Sequence, residues 1–367
     1  MQSAINLNKT VVGGVCWGMD LSHPSVARTV NRLRVLNLIA REGAISRAEI
    51  ARVLDLSKPS TSEIVALLLE ENLVMESGKA ETASGRKPTN LKLKSDGALV
   101  LGIDMDVRTT TYTVANIHGA ILRMEKFPIQ EHPDPKTAGA EVIKRILKLT
   151  RESKVPFKAI VLTTGGTFSE DRRTLVAHNY WSWEQIPLAE VIEKNTSIPT
   201  IFAETTRSMS FAERWFHKET PPSYLYINWG EHLESALYVN SVDRLSRFEH
   251  TPVSRTGLCF CGQIGCLETV AGLSRIGKEE IPQAARAIGQ ALIAADRATA
   301  VDAIIIAGPQ AREHLPIIRE SFQGSTPIIP SILKERSTPL ASVAVALDWG
   351  IFGRSMLEQT KTATRNG

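Results

Sequence analysis

Between Cys259 and Cys266 the chain reads Cys259-Phe260-Cys261-Gly262-Gln263-Ile264-Gly265-Cys266, a C-x-C-x4-C cluster with His250 nine residues upstream. Three thiolates and one imidazole are the donors of a closed tetrahedral structural site, whereas a catalytic site would keep one position for water. Zinc is the expected metal. Gly262 and Gly265 suit a short knuckle whose backbone must turn tightly around an ion. A redox or disulfide pair is the competing use, yet the chain has four cysteines and three sit in this octet. Cys16, remote from the cluster, reads as a small buried hydrophobe.

A second set of residues suggests contact with nucleic acid. Of the 367 residues, 1–95 carry 13 Lys+Arg against 9 Asp+Glu, and the remainder is balanced at 30 each, so the whole net charge of +4 sits in the first quarter. Alone this is an ordinary solvated surface. The pattern of elements adds weight. Val26, Val30, Leu33, Leu36, Ile39 and Ala40 recur at helical spacing, which predicts a helix over 25–41 closed by Gly43. Ser46 and Glu49 stand at capping-box spacing and open a short helix through Leu54. Ser57 is a suitable N-cap for a third helix, with Pro59 in its first turn, running to about Glu71 and burying Ile64, Leu67 and Leu68.

Helix, short helix, turn, helix is a helix-turn-helix spacing, in which the leading residues of the last helix face base edges. Lys58, Ser60, Thr61 and Ser62 are short or cationic groups able to reach bases and phosphates, and Arg47 opens the preceding helix. Ser84-Gly85-Arg86-Lys87-Pro88-Thr89, between strand-like Leu73–Met75 and Leu91–Leu93, reads as a basic hairpin tip. Arg86 and Lys87 would then form a wing, with Arg86 able to enter the minor groove. The expected partner is double-stranded operator DNA.

Residues 96–100 form the expected junction between a domain at 1–95 and another at 96–367. Beyond it the pattern is α/β. Strands are predicted at Leu99–Asp104, Thr111–Ala115, Ala120–Phe127, Ala159–Thr163, Thr200–Ala203, Tyr224–Asn228, Ser235–Val239 and Ala303–Ala307. Helices are predicted at Thr137–Arg151, Phe211–Phe216, Ile281–Arg297 and Leu340–Met356. Strand hairpins followed by crossover helices, twice over, suit two α/β lobes. No apolar run approaches the ~20 residues needed to span a bilayer, and Val11–Met19 lacks the flanks of a signal peptide, so a cytoplasmic protein is expected.

The run Cys259 to Thr269 resembles the zinc signature of the ROK family of repressors, open reading frames and kinases, and the N-terminal segment resembles the winged helix-turn-helix of its repressor branch, the xylose-repressor type. The resemblance implies an actin-like, ribonuclease H-like two-lobed domain and assigns His250, Cys259, Cys261 and Cys266 as the zinc ligands. It also shows what is missing. The family's first phosphate loop, Asp-x-Gly-Gly-Thr, falls on Asp104-Met105-Asp106-Val107-Arg108, without either glycine. The second falls on Gly230-Glu231-His232-Leu233-Glu234-Ser235-Ala236, where only Gly230 survives and two carboxylates would repel phosphate. The kinases' Asn-Asp base pair falls on Glu204-Thr205, and Thr205 has no carboxylate with which to take a proton.

Arg247 and Glu249 replace the Glu and Gly of the family's Glu-x-Gly-His motif, leaving His250 as its remaining member. A catalytically dead domain follows, retained for dimerisation and effector sensing. Asn179, Glu204, Thr205, Arg247, Glu249 and His250 are the candidates for an effector cleft. Arg247 would suit a phosphorylated or acidic ligand, or else pair internally with Glu249 or Glu204. The expected protein is a repressor of carbohydrate uptake or catabolism genes, a homodimer or dimer of dimers responding to a sugar or sugar phosphate. The alternatives are a sugar kinase with an atypical site and a DNA binder without effector.

Overall fold

The computed structural model describes residues 24–79, 89–129, 134–334 and 337–354. The chain begins with a helical module: α1 (Pro24–Glu42), β1 (Ile45–Ser46), α2 (Arg47–Leu54) and α3 (Lys58–Glu70), followed by β2 (Val74–Lys79) and β3 (Thr89–Leu93) in a small sheet of order β1-β3-β2. The caps anticipated from sequence are present. Ser46 accepts from the Glu49 amide while the Glu49 side chain accepts from the Ser46 amide, and Asp55 ends α2 in the left-handed region at φ 53°. Ser57 accepts from the Ser60 amide at the start of α3. Three helices with an antiparallel hairpin make a winged helix-turn-helix.

The rest of the chain forms two lobes built to one plan. The first contains β4 (Leu99–Met105), β5 (Thr109–Asn116), β6 (Ile121–Pro128), α4 (Pro135–Glu152), β7 (Phe157–Thr164), a three-stranded flap of β8 (Gly166–Phe168), β9 (Leu175–His178) and β10 (Glu184–Ile186), then α5 (Leu188–Thr196), β11 (Thr200–Glu204) and α6 (Thr205–Phe216). The second contains β12 (Tyr224–Trp229), β13 (Leu233–Val239), β14 (Val242–Arg244), α7 (Leu267–Ala271), α8 (Ile281–Ala298), β15 (Ala303–Ala307), α9 (Ala311–Ser321) and β16 (Ile328–Pro330), and α10 (Ser337–Leu347) ends in a wider turn, Asp348–Phe352.

The sheet orders are β11-β7-β4-β5-β6 and β14-β13-β12-β15-β16. In each, an antiparallel three-stranded meander is extended on its first strand by two parallel strands reached through helices. The same topology twice is the duplicated, actin-like plan. β4 is buried along its length, the composition of a strand covered on both faces. α10 is buried all round and packs on β4 and on α6. At Gly102 the approach is close, since a Cβ there would stand 2.2 Å from Ser342 Oγ.

One apolar cluster runs from the helical module into the first lobe. It holds Val35, Leu36 and Ile39 of α1 together with Val100, Val161, Val343, Leu347 and Phe352. The Asn37 amide donates to Phe352 O at 2.7 Å, and Arg354 Nε donates to Asn37 Oδ1 at 2.7 Å. Gly353 turns at φ 56° beside Leu33, so close that a Cβ would meet Leu33 Cδ1 at 2.7 Å. The sequence boundary near residue 96 is therefore not a break in the packing.

Candidate functional site

The leading edge of α3 presents Lys58, Ser60 and Ser62 to solvent. Ser60 Oγ lies 2.8 Å from Ser57 Oγ, within the cap. Thr61 corrects the sequence reading. It is 1% exposed, and its hydroxyl donates to Ser57 O at 3.0 Å. Thr61 lies on the same helix face as Ile64, Val65 and Leu68, so it is part of the core and cannot touch a base. Leu67, expected in the core, is instead on the exposed side. Arg47 is half-buried and paired with Glu76 of β2 at 2.9 Å. Arg86 and Lys87, with Cys16, lie outside the described residues.

The cysteine cluster folds as a knuckle. Leu258 and Ile264 bridge across it, Pro252 bridges to Cys266, and Gly262 and Gly265 turn at φ 84° and 79°. Gly265 has no alternative, because a Cβ would stand 1.9 Å from Ser254 O. His250, on a single helical turn ahead of the knuckle, brings Nδ1 to 3.5 Å from Cys259 Sγ, and Cys261 Sγ lies 3.7 Å from Cys266 Sγ. One donor atom from each of the four residues lies within 4.8 Å of the others, a set able to hold a metal ion. Glu249 Oε1 stands 3.6 Å from the other ring nitrogen of His250, the position of a carboxylate that orients a ligating imidazole.

Between the lobes lies a cavity of about 360 Å³, whose walls include Asp104, Asp106, Lys126, Glu231, Glu234 and Lys334. Of the six expected cleft residues, Thr205 lines it; Asn179 and Arg247 are exposed beyond it, and Glu249 is buried under Ser235. Glu204 is the N-cap of α6: its two carboxylate oxygens accept from the amides of Thr206 at 3.0 Å and Arg207 at 2.7 Å. Burial, and then the nearby Glu234, push its carboxyl up to about 8. A carboxylate held by two backbone amides at a helix start is a structural cap. Arg247 brings no cation to the cavity, whose walls carry four carboxyl groups against two lysines.

Among the residues that shape the cleft, Tyr180 was not singled out from sequence, and His232 and Glu234 entered only as members of the eroded second phosphate loop. The Tyr180 ring stacks on His232 with centroids 3.6 Å apart, and its hydroxyl donates to Glu234 Oε1 at 2.9 Å. The other oxygen of Glu234 accepts from Thr206 Oγ1 at 2.6 Å. Arg108 and Glu231, one from each of the two loops that resemble phosphate loops, form an ion pair at 3.2 Å. These contacts join the lobes where a phosphate chain would need space. Asp104, 2% exposed, accepts from Thr163 Oγ1 at 2.8 Å; burial first, and Asp106 second, push its carboxyl up to about 8. Burial holds the His178 imidazole down at about 4, so it is neutral, accepting from the amides of Tyr180 and Trp181.

Residues 29–80 match the profile of the MarR family and residues 100–230 that of the ROK family. A ROK-family match over residues 100–230 thus follows a segment that matches a helix-turn-helix family over 29–80. Among curated proteins it is similar to the xylose repressor of Caldicellulosiruptor bescii, 23% identical over 68% of this chain and 66% of that one. It is also similar to the DNA-binding transcriptional dual regulator NagC of Escherichia coli, 21% identical over 70% of this chain and 66% of that one. The matches thus span just under two thirds of these relatives' length. Among solved structures, a ROK family transcriptional regulator homologous to the Escherichia coli MLC protein superposes with a TM-score of 0.76 over 90% of this chain and 99% of its own, at 20% identity. A ROK family glucokinase from Streptomyces griseus, in complex with glucose and AMPPNP, reaches 0.57 over 69% of this chain and 99% of its own, at 17% identity. Both share the fold.

Proposed function

We propose that this chain is a DNA-binding transcription regulator, a repressor of carbohydrate uptake or catabolism genes, whose ROK domain senses an effector and has no catalytic activity. The observation that carries the reading is a pairing within one chain. The leading edge of α3 is open to solvent at Lys58, Ser60 and Ser62. The carboxylate nearest the place of a kinase base, Glu204, is meanwhile tied to two amides. The working units are residues 1–95, which read DNA, and 96–367, which dimerise, as a homodimer or a dimer of dimers. Two-fold symmetry places two winged modules on a pseudo-palindrome, with half-sites whole helical turns apart. Its setting is the cytoplasm; among the described residues no helix is long and apolar enough to cross a membrane.

His250, Cys259, Cys261 and Cys266 hold a structural zinc ion in this reading. Tetrahedral zinc with sulfur at ~2.3 Å and nitrogen at ~2.0 Å separates its donors by about 3.5–3.8 Å. The 3.5 and 3.7 Å separations of the knuckle support that fit. When bound, the ion ties the knuckle to α7 and holds the lobe's loop in place, while Glu249 orients the imidazole.

The effector is a neutral sugar. Its hydroxyls can exchange hydrogen bonds with Asp106, Asn228 and Glu234 at the cavity wall, where a sugar phosphate would meet excess carboxylate. Binding shifts the lobe angle and with it the spacing of the DNA-reading helices. The test is selection of an operator from random DNA by the full-length protein, followed by fluorescence anisotropy across salt. A sequence bound with a steep negative salt slope, and released or tightened by one of a panel of neutral sugars, is the expected result. Failure to enrich any sequence overturns the reading.

A further inference from the structure

The metal knuckle has an outer face that neither the DNA reading nor the cleft employs. Leu258 is 66% exposed, Ile264 62%, Val253 41% and Phe260 37%. The backbone keeps them near one another: Leu258 bridges to Ile264, the amides of Val253 and Ser254 donate to Gly265 O next door, and Phe260 follows Leu258 by two residues. Large aliphatic groups on a turn stiffened by its own bridges, with a ligand set beneath, form a rigid apolar surface, and such surfaces mark contact sites. Arg255 is exposed within the patch, and Arg247, also exposed, opens the single helical turn that carries His250. Neither arginine is in an ion pair among the described residues. No Asp or Glu occurs between 251 and 266, and the nearest, Glu249 and Glu268, are buried.

We infer that this face, built by Val253, Leu258, Phe260 and Ile264 with Arg247 and Arg255 on its rim, docks an acidic polypeptide segment that carries large apolar side chains. An apolar centre flanked by arginine is the composition of a protein-binding surface, in which Arg contributes and Lys does not. The charge selects the occupant. A second copy of the chain, brought up by a two-fold axis, would set one arginine-rimmed face against another with no carboxylate from either 251–266 segment between them. Nucleic acid would leave four large apolar side chains against phosphates. An acidic strand or helix satisfies both features. The docked segment would also touch the cleft wall, because the Phe260 ring lies 5.4 Å from Tyr180 and 5.1 Å from His250.

The test is selection of a displayed random peptide library on full-length, zinc-loaded protein, with the Leu258→Ser/Ile264→Ser double variant and Arg255→Glu as parallel targets. Zinc content and melting temperature equal to those of the parent qualify each variant. The expected result is enrichment of peptides combining Asp or Glu with Leu, Ile, Phe or Trp, lost on the double variant and weakened at least about tenfold by Arg255→Glu and by high salt. Sedimentation velocity of the parent and the double variant is run alongside. Peptides of basic or uncharged composition overturn the inference. So does the absence of any enrichment, or an association of the parent that the double variant abolishes, since a second copy would then be the occupant. None of these outcomes bears on operator selection, which tests the DNA reading separately.

Discussion

Replacing Asp104 by Asn removes a carboxyl group that the fold must keep protonated, and the gain must grow with pH. The carboxyl ordinarily titrates at 3.8, and in the folded chain it is pushed up to about 8 by burial and by Asp106. Between these values the folded state keeps a proton that the unfolded chain has released, so stability present below pH ~4 is progressively lost up to pH ~8. Each unit in that window costs about 1.4 kcal/mol, giving a penalty on the order of 4 kcal/mol at neutral pH. An amide has no such penalty and can still accept from Thr163 Oγ1 at the same atom. Thermal midpoints of parent and Asp104→Asn should coincide near pH 4 and diverge by several degrees in favour of the variant near pH 8. Because the comparison is a difference at each pH, other groups that titrate in both proteins cancel. Midpoints that stay parallel from about pH 4 to about pH 8 would show that Asp104 ionises normally, and the reasoning from burial would fail.

Cys261→Ser should reduce bound zinc, measured by elemental analysis, from about one ion per chain and lower the melting temperature; a folded parent free of metal would remove the zinc reading. No ATP-dependent phosphorylation of hexoses or xylose is expected in a coupled assay, and turnover abolished by Glu204→Gln would restore Glu204 as a base. Lys58→Ala should weaken all DNA sequences alike and reduce the salt slope by about one unit, whereas loss of a base contact by Ser62→Ala should relax discrimination at a defined position by about 1–3 kcal/mol. Gly353→Ala places a side chain at a positive φ against Leu33 and should cost about 2 kcal/mol of stability, read by denaturant midpoint, while weakening operator binding.

The winged helix-turn-helix and the cluster of four residues able to hold a metal were legible because their signals are local. Ser46 with Glu49, Ser57 with Pro59, and four donors spread over 17 residues each announce themselves within a few turns of chain. The strand at Ala303–Ala307 agrees residue for residue, since a buried parallel strand is one continuous apolar run. Thr61 was misjudged because its chemistry suits DNA while its helical phase, shared with Ile64, Val65 and Leu68, points inward. Short elements escaped altogether: β8, β10, β14 and β16 have three residues each, too few to show a period, and α9 contains Pro316. The cleft was read least well. Tyr180, His232 and Glu234 are brought together by the flap and by the turn after β12, and no spacing within the sequence reveals that they meet.

The hydrogen bond from Asn37 to Phe352 joins residues 315 apart in the chain, and that distance has a meaning during synthesis. The helical module leaves the ribosome first, but its α1 face is completed by Val343, Leu347, Ile351 and Phe352. Until those residues have been made, the side of α1 turned toward the first lobe stays uncovered, although α1 already packs on α2, α3 and β3. A chain cut short anywhere in the second lobe would carry the whole helical module and lack the clasp made by Asn37, Phe352 and Arg354. The seat of the helical module on the first lobe is therefore completed only when the chain is nearly finished.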